Sequence, residues 1–308
     1  MPKAYAYTRY GGPETQAFVE VDRPSPGPGQ ILVAVRAAGV NPIDWKLRAG
    51  HRRPGDPDSP RFPVVFGSEA AGVVEEIGEG VKGFAAGDAV FGNTVAGGYA
   101  EYALLDAAVA AHVPHGLSYT DAAVLPVAAA TAYDGVRGLG LPAGATLLVT
   151  GAGGGVGAAA VQIARAFGVR VVGTASEGKK DFVERLGAVH VPAGPDLAAR
   201  VRAAARDGVD GVYDLVGGDV LEEVATLLTD RSRLITAGAP AQDVERLGGT
   251  RVLRARTAAV LDEVAGLVER GELSPCITRI LPLERAGDAL RVVENGHARG
   301  KIVIEVGA

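Results

Sequence analysis

This chain of 308 residues has one cysteine, one methionine, one tryptophan and only 5% aromatic residues. A single thiol, Cys276, excludes an intrachain disulfide framework and a cysteine-rich structural zinc site, and leaves it as a small apolar filler. The histidines His51, His112, His115, His190 and His297 are scattered without the spacing of metal ligands. No uninterrupted apolar run is long enough to span a bilayer, and the N-terminus lacks a basic segment leading into an apolar core. A cytoplasmic protein with no membrane partner is therefore expected. Basic charge is not in excess either: 31 Lys and Arg stand against 36 Asp and Glu, a net charge of −5, which argues against a broad nucleic-acid surface.

Glycine and aliphatic residues are abundant, with 44 glycines and 47% hydrophobic residues. Single cores rarely grow beyond about 250 residues, so this length suits two compact domains. Up to about Val113 the chain reads as β-rich, with strands at Ile31–Val35, Val64–Phe66 and Val73–Ile77 and glycine or proline in nearly every gap. The alanine-rich stretch Thr120–Val136 reads as a helix broken near Pro126. Beyond it, strands at Leu147–Val149, Val169–Gly173, Val189–Val191, Gly211–Val216 and Arg233–Ala237 alternate with helical patterns at Lys180–Leu186, Leu197–Ala205 and Val220–Leu228. This alternation predicts α/β architecture, a doubly wound parallel sheet with helices on both faces. A helix at Ala258–Glu269 and a terminal strand at Lys301–Val306 follow, the latter expected to return to the first domain.

The most informative segment is A-T-L-L-V-T-G-A-G-G-G-V-G-A-A-A-V-Q-I-A-R-A-F-G at 145–168. A buried strand runs through Gly154, Gly155, Val156 and Gly157 into a helix, and a second strand follows within one βαβ unit. Glycines allow the backbone to approach a pyrophosphate, and the helix directs its N-terminal amides at that charge. Val216, at the end of one later strand, and Gly238 and Ala239, after the next, should line the carboxyl edge of the sheet beside a nicotinamide.

Several pieces, in this order, resemble the zinc-independent medium-chain dehydrogenase/reductases, in their quinone oxidoreductase and enone reductase branch. They are A-G-V-N-P-I-D-W-K at 38–46, F-G-S-E-A-A-G-V-V at 66–74, G-D-A-V-F-G at 87–92, G-G-Y-A-E-Y at 97–102, L-P-V-A-A-A-T-A-Y at 125–133, G-A-G-G-G-V-G at 151–157, L-G-A at 186–188, D-L-V-G-G at 214–218 and G-K-I-V-I at 300–304. The resemblance implies a GroES-like β-rich catalytic domain at 1–118, completed by 264–308, and an NADP-binding Rossmann domain at 119–263. It implies no metal: zinc-dependent relatives carry cysteine and histidine where this chain has Asn41 and Ser68. Asp44 and Glu69 remain from that pattern, as groups that orient backbone and loops.

The resemblance implies NADPH as cofactor. Ser176 would donate to its 2′-phosphate and Lys179 or Lys180 would neutralise it, although Glu177 stands near the spacing of an NAD-binding acid, and the two lysines also read as a solvated helix start. Asn41 would border the nicotinamide ribose and substrate, Thr131 would lie against the cofactor, and Lys301 would reach the pyrophosphate or simply be a surface charge. The catalytic candidates are Asn41, Lys46 and Tyr133. Lys46 would stabilise an enolate oxygen or stand as a surface lysine beside Trp45; Tyr133 also reads as a core tyrosine. The implied substrates are quinones or α,β-unsaturated carbonyls, in a pocket shaped by the loops His51–Arg61 and Asn93–Gly98. A homodimer joined along the edge segment Thr250–Arg256 is implied. Two alternatives remain at this stage, a biosynthetic ene-reductase for one natural-product intermediate and a non-catalytic NADPH-binding or RNA-binding protein.

Overall fold

The structure, a computed structural model, describes residues 1–52, 60–296 and 298–307. The chain divides into two units, Met1–Val127 with Arg256–Glu269 and Ile277–Ala308, and Ala128–Ala255 with Arg270–Cys276.

In the first unit six strands run in the order Ile277–Pro282, Lys301–Glu305, Gln30–Gly39, Glu69–Ile77, Ala89–Thr94 and Tyr102–His112. Gln30–Gly39 also pairs with Tyr102–His112, so four of these strands close on themselves around Ile31, Val33, Val74, Val90 and Leu105. Closure removes exposed strand edges. The last strand pairs antiparallel with Gln30–Gly39, placing Val303 opposite Gly39. A second core, built on Tyr7, Phe66, Tyr99, Leu290 and Ile304, joins this sheet to the helix Ala286–Glu294.

The second unit is a six-stranded parallel sheet in the order Val189–Pro192, Arg170–Ala175, Thr146–Val149, Gly211–Asp214, Leu234–Thr236 and Thr250–Arg251. Strand order reverses between Thr146–Val149 and Gly211–Asp214, which creates the crevice where open α/β sheets bind ligands. Leu147, Leu148 and Val149 are fully buried, as expected of a strand covered on both faces.

The boundaries differ from 118/119 and 263/264. Helix Tyr119–Ala122 packs on the strands Gln30–Gly39 and Glu69–Ile77, and the Val127 amide donates to Glu69 Oε2 at 2.7 Å, which ties 119–127 to the first unit. Helix Ala258–Glu269 packs on Tyr102–His112 and carries 256–263 with it. The 270–276 segment rejoins the second unit through Gln162, whose side chain bonds both the amide and the carbonyl of Ser274. The helical stretch is broken at Ala123–Val124, just before Pro126: Tyr119–Ala122 ends there, and a π-helical turn at Leu125–Ala129 runs directly into the helix Ala130–Leu139. The strand expected to reach Val216 ends at Asp214, because its carboxylate captures the next backbone amides.

Candidate active site

The glycine turn opens the helix Gly155–Ala166 with Gly154 at its N-cap and no side-chain cap. Its first-turn amides have no intrahelical partners, so the end is electropositive and suited to a phosphate. Gly151 has φ +65°, a region that glycine enters without a steric cost. A Cβ on Gly157 would collide with the Gly151 carbonyl and stand 2.7 Å from Ala152 Cα, so only glycine lets the helix sit on the turn. Val156, in the first turn of this helix, is half-buried.

Ser176 follows the strand Arg170–Ala175, and Glu177–Lys179 form a short 3-10 turn. Ser176, Glu177 and Lys180 are exposed, while the Lys179 stem lies over Gly153, where a Cβ would stand 2.6 Å from its Cδ. A serine and two lysines thus follow the second strand, and one lysine covers the glycine turn.

The structure also places Tyr133, Thr131 and Lys46. Tyr133 is buried with its ring edge-on to Phe167 at 6.1 Å, and Phe167 is the C-cap of the very helix whose N-terminus follows the glycine turn. Twelve residues at about 1.5 Å each separate those ends by about 18 Å, so Tyr133 sits in the core far from the glycine turn. Thr131 is buried on the same helix, and its carbonyl accepts the Tyr213 hydroxyl at 2.8 Å. Lys46 is exposed, with its ammonium 5.8 Å from the Trp45 ring centroid. On a helix it points away from Asp44, two residues before it, which is fully buried.

Lys301 is neither a surface charge nor a phosphate ligand. It is 4% exposed, and its ammonium donates to Asn41 Oδ1 at 2.7 Å, Glu69 Oε1 at 2.9 Å and the Val40 carbonyl at 3.1 Å. All three ammonium protons are consumed there. Asn41 Nδ2 in turn donates to Glu69 Oε1 at 2.7 Å and the Gly39 carbonyl at 3.4 Å. Both amide protons being used, Asn41 keeps only acceptor capacity on Oδ1 and cannot donate to a developing oxyanion.

A second buried cluster adjoins it on the helix Pro42–Arg48. Asp44 accepts from the Asn41 amide at 2.8 Å, Ser68 Oγ at 2.7 Å and the Tyr99 hydroxyl at 2.9 Å. Burial nevertheless raises its carboxyl above the ordinary value, outweighing these three donors. Burial and the neighbouring Asp44 likewise push the Tyr99 phenol well up. Neither cluster was visible in the sequence, since Tyr99 joins from the bend before Tyr102–His112 and Lys301 from the last strand.

These bonds bear on the metal question. Asn41 is a neutral amide, engaged with Glu69 and Lys301, and Ser68 a hydroxyl that donates to Asp44, and neither is the thiolate, imidazole or carboxylate that tight zinc sites use. Among the described residues no group of three or more His, Cys, Asp or Glu could hold a metal ion. His297 lies outside them.

Tyr7, Leu47, Val64, Phe66 and Val95 wall a cavity of about 230 Å³ in the first unit, with Asp44 and Ser68 among its polar groups. The segment 94–97 contributes to it, as do His51, Arg52 and Pro60, the described flanks of the first expected pocket loop; residues 53–59 of that loop lie outside the described residues.

Comparison with known proteins agrees with this architecture. Residues 27–115 match the alcohol dehydrogenase GroES-like domain and residues 186–304 the zinc-binding dehydrogenase family. The chain belongs to the medium-chain dehydrogenase/reductases. It is 33% identical to the 2-methylene-furan-3-one reductase of Solanum lycopersicum, over 98% of this chain and 78% of that protein. The structure of the quinone oxidoreductase from Coxiella burnetii superposes with a TM-score of 0.91 at 29% identity, over 99% of both chains. A mycobacterial structure complexed with NADPH superposes at 0.87 with 27% identity, over 99% of this chain and all of that one. This medium-chain reductase is thus a nicotinamide-dependent oxidoreductase whose relatives include quinone and enone reductases.

Proposed function

We propose that this chain reduces quinones or α,β-unsaturated carbonyls with NADPH, without a metal. The observation that carries the reading is that the positions at which zinc-dependent relatives are expected to carry ligands hold a neutral amide, Asn41, bonded to Glu69 and Lys301, and a hydroxyl, Ser68, bonded to Asp44. Without a Lewis acid the acceptor must already be polarised by conjugation, and simple alcohols would be poor substrates because their oxidation passes through an alkoxide that a metal normally stabilises.

The second unit would hold the dinucleotide. The amides of Gly155, Val156 and Gly157 would face the pyrophosphate, with Ser176, Lys179 and Lys180 toward a 2′-phosphate. Glu177, exposed beyond the strand, faces solvent in this reading. When bound, the cofactor supplies the hydride. Asn41, fixed by Glu69 and Lys301, keeps one acceptor oxygen, which the family resemblance assigns to a ribose hydroxyl, and in the second unit Val216, Gly238 and Ala239 would border the nicotinamide. The proton that completes reduction comes from water, since Tyr133 is packed away and Lys46 is exposed beside Trp45. We further infer a cytoplasmic homodimer.

The test is loss of reduced-nicotinamide absorbance with panels of quinones, enals and cyclic enones, each with NADPH and with NADH, followed by product identification. Saturated carbonyl or hydroquinone products with a lower KM for NADPH are expected. Turnover of simple alcohols alone, or an equal or lower KM for NADH, would refute the respective half of the proposal.

A further inference from the structure

The reversal of strand order in the parallel sheet falls between the strands that end at Val149 and Asp214. A hydrogen bond spans it. Thr150 Oγ1, one residue past the first strand, donates to Asp214 Oδ1 at 2.7 Å and accepts from the Leu215 amide at 2.9 Å. On the other side, Thr236 Oγ1 donates to Asp214 Oδ2 at 2.6 Å and accepts the amides of Gly238 at 3.0 Å and Ala239 at 3.1 Å. The carboxylate also takes the Val216 amide at 3.2 Å and the Gly217 amide at 3.0 Å. Asp214, Thr150 and Thr236 are all fully buried.

One carboxylate therefore gathers three consecutive strand ends. These are the start of the glycine turn, the Val216–Gly217 turn and, through Thr236, the Gly238–Ala239 turn. The last two are in close contact, since a Cβ on Gly238 would stand 2.6 Å from the Val216 amide nitrogen. Both carboxylate oxygens accept from donors only, and an asparagine would direct its own N–H groups at two of them.

We propose that Asp214, acting through Thr150 and Thr236, is a positioning residue for dinucleotide binding. It sets the spacing of the three turns around the crevice at the switch point and spends their inward amides on the protein itself. The inference rests on the proposed cofactor site, and none of the three side chains needs to touch the cofactor.

Thr236→Val keeps the shape of the side chain and removes the hydroxyl, leaving two amides and one carboxylate oxygen without it; Thr236→Ser restores it. The dissociation constant of NADPH on the purified full chain, read from nicotinamide fluorescence, should rise about 10-fold or more in Thr236→Val and return to within about threefold of the parent in Thr236→Ser. Thermal unfolding of the unliganded proteins is measured alongside. If Thr236→Val melts lower yet binds NADPH as tightly as the parent, the network is only structural and the inference fails. Thr150→Val carries the same expectation should Thr236→Val not fold. A parent that binds neither NADPH nor NADH would overturn the proposed function and this inference together, whereas a parent that binds beside an unaffected variant overturns the inference alone.

Discussion

Lys46 and Lys301 carry the same charge into opposite surroundings. The first is solvated on an exposed helix face; the second is buried with Glu69, 2.9 Å away and 0% exposed. Replacing Lys46 with Met should leave enone turnover and the denaturation midpoint near the parent values, and a large loss of kcat would return Lys46 to a catalytic role. Lys301→Met strands a buried carboxylate and should cost about 3–5 kcal/mol in denaturant unfolding; a negligible loss would contradict the buried pair. Asp44 adds a pH dependence. Its carboxyl is raised by burial, so the folded chain holds that proton more tightly than the unfolded one. The stability it contributes is full below its unfolded pKa of about 3.9 and is lost as pH rises through the raised folded value. Urea unfolding of the parent and Asp44→Asn across that window should show the parent losing ground to the variant as pH rises. A constant difference would disprove the shift.

At the scale of elements, the glycine turn and its helix depend on a close approach that a methyl group prevents. Gly157→Ala forces the helix Gly155–Ala166 away from Gly151 and Ala152, an overpacking that typically costs about 1–3 kcal/mol. A lowered melting temperature together with weakened NADPH binding is expected, and unaltered binding would mean the turn does not receive the phosphates. Thr250–Arg251 is an edge strand, and Leu253 just beyond it is 89% exposed. Unpaired edges invite pairing, and a bare leucine at one is costly in water. If two copies join here, Leu253→Lys should convert a dimer to a monomer by light scattering; a parent already monomeric would reject the proposed dimer.

For the whole molecule, the proposed metal-free chemistry makes a bulk prediction. Dialysis against a chelator should leave quinone or enone reduction intact, and elemental analysis should find no stoichiometric zinc. Activity lost on chelation and restored by zinc would overturn the metal-free reading.

Much of this architecture was legible in the chain itself. Aliphatic runs such as Leu147–Val149 make buried parallel strands through local composition, and the glycines after them announce a turn because only glycine tolerates such contacts. Helix Ala258–Glu269 was readable residue for residue, since its apolar period is local. Partnerships across the chain were not. Tyr133 and Thr131 share one motif, yet only packing set the ring of Tyr133 against Phe167. The sequence by itself determined the two kinds of sheet and the dinucleotide turn, because periodicity and glycine chemistry act over a few residues. The tertiary structure alone decided that Lys301 holds Asn41 and that Asp214 gathers Thr150 and Thr236, because charge pairing in a desolvated interior depends on which distant strands the fold brings within hydrogen-bonding reach.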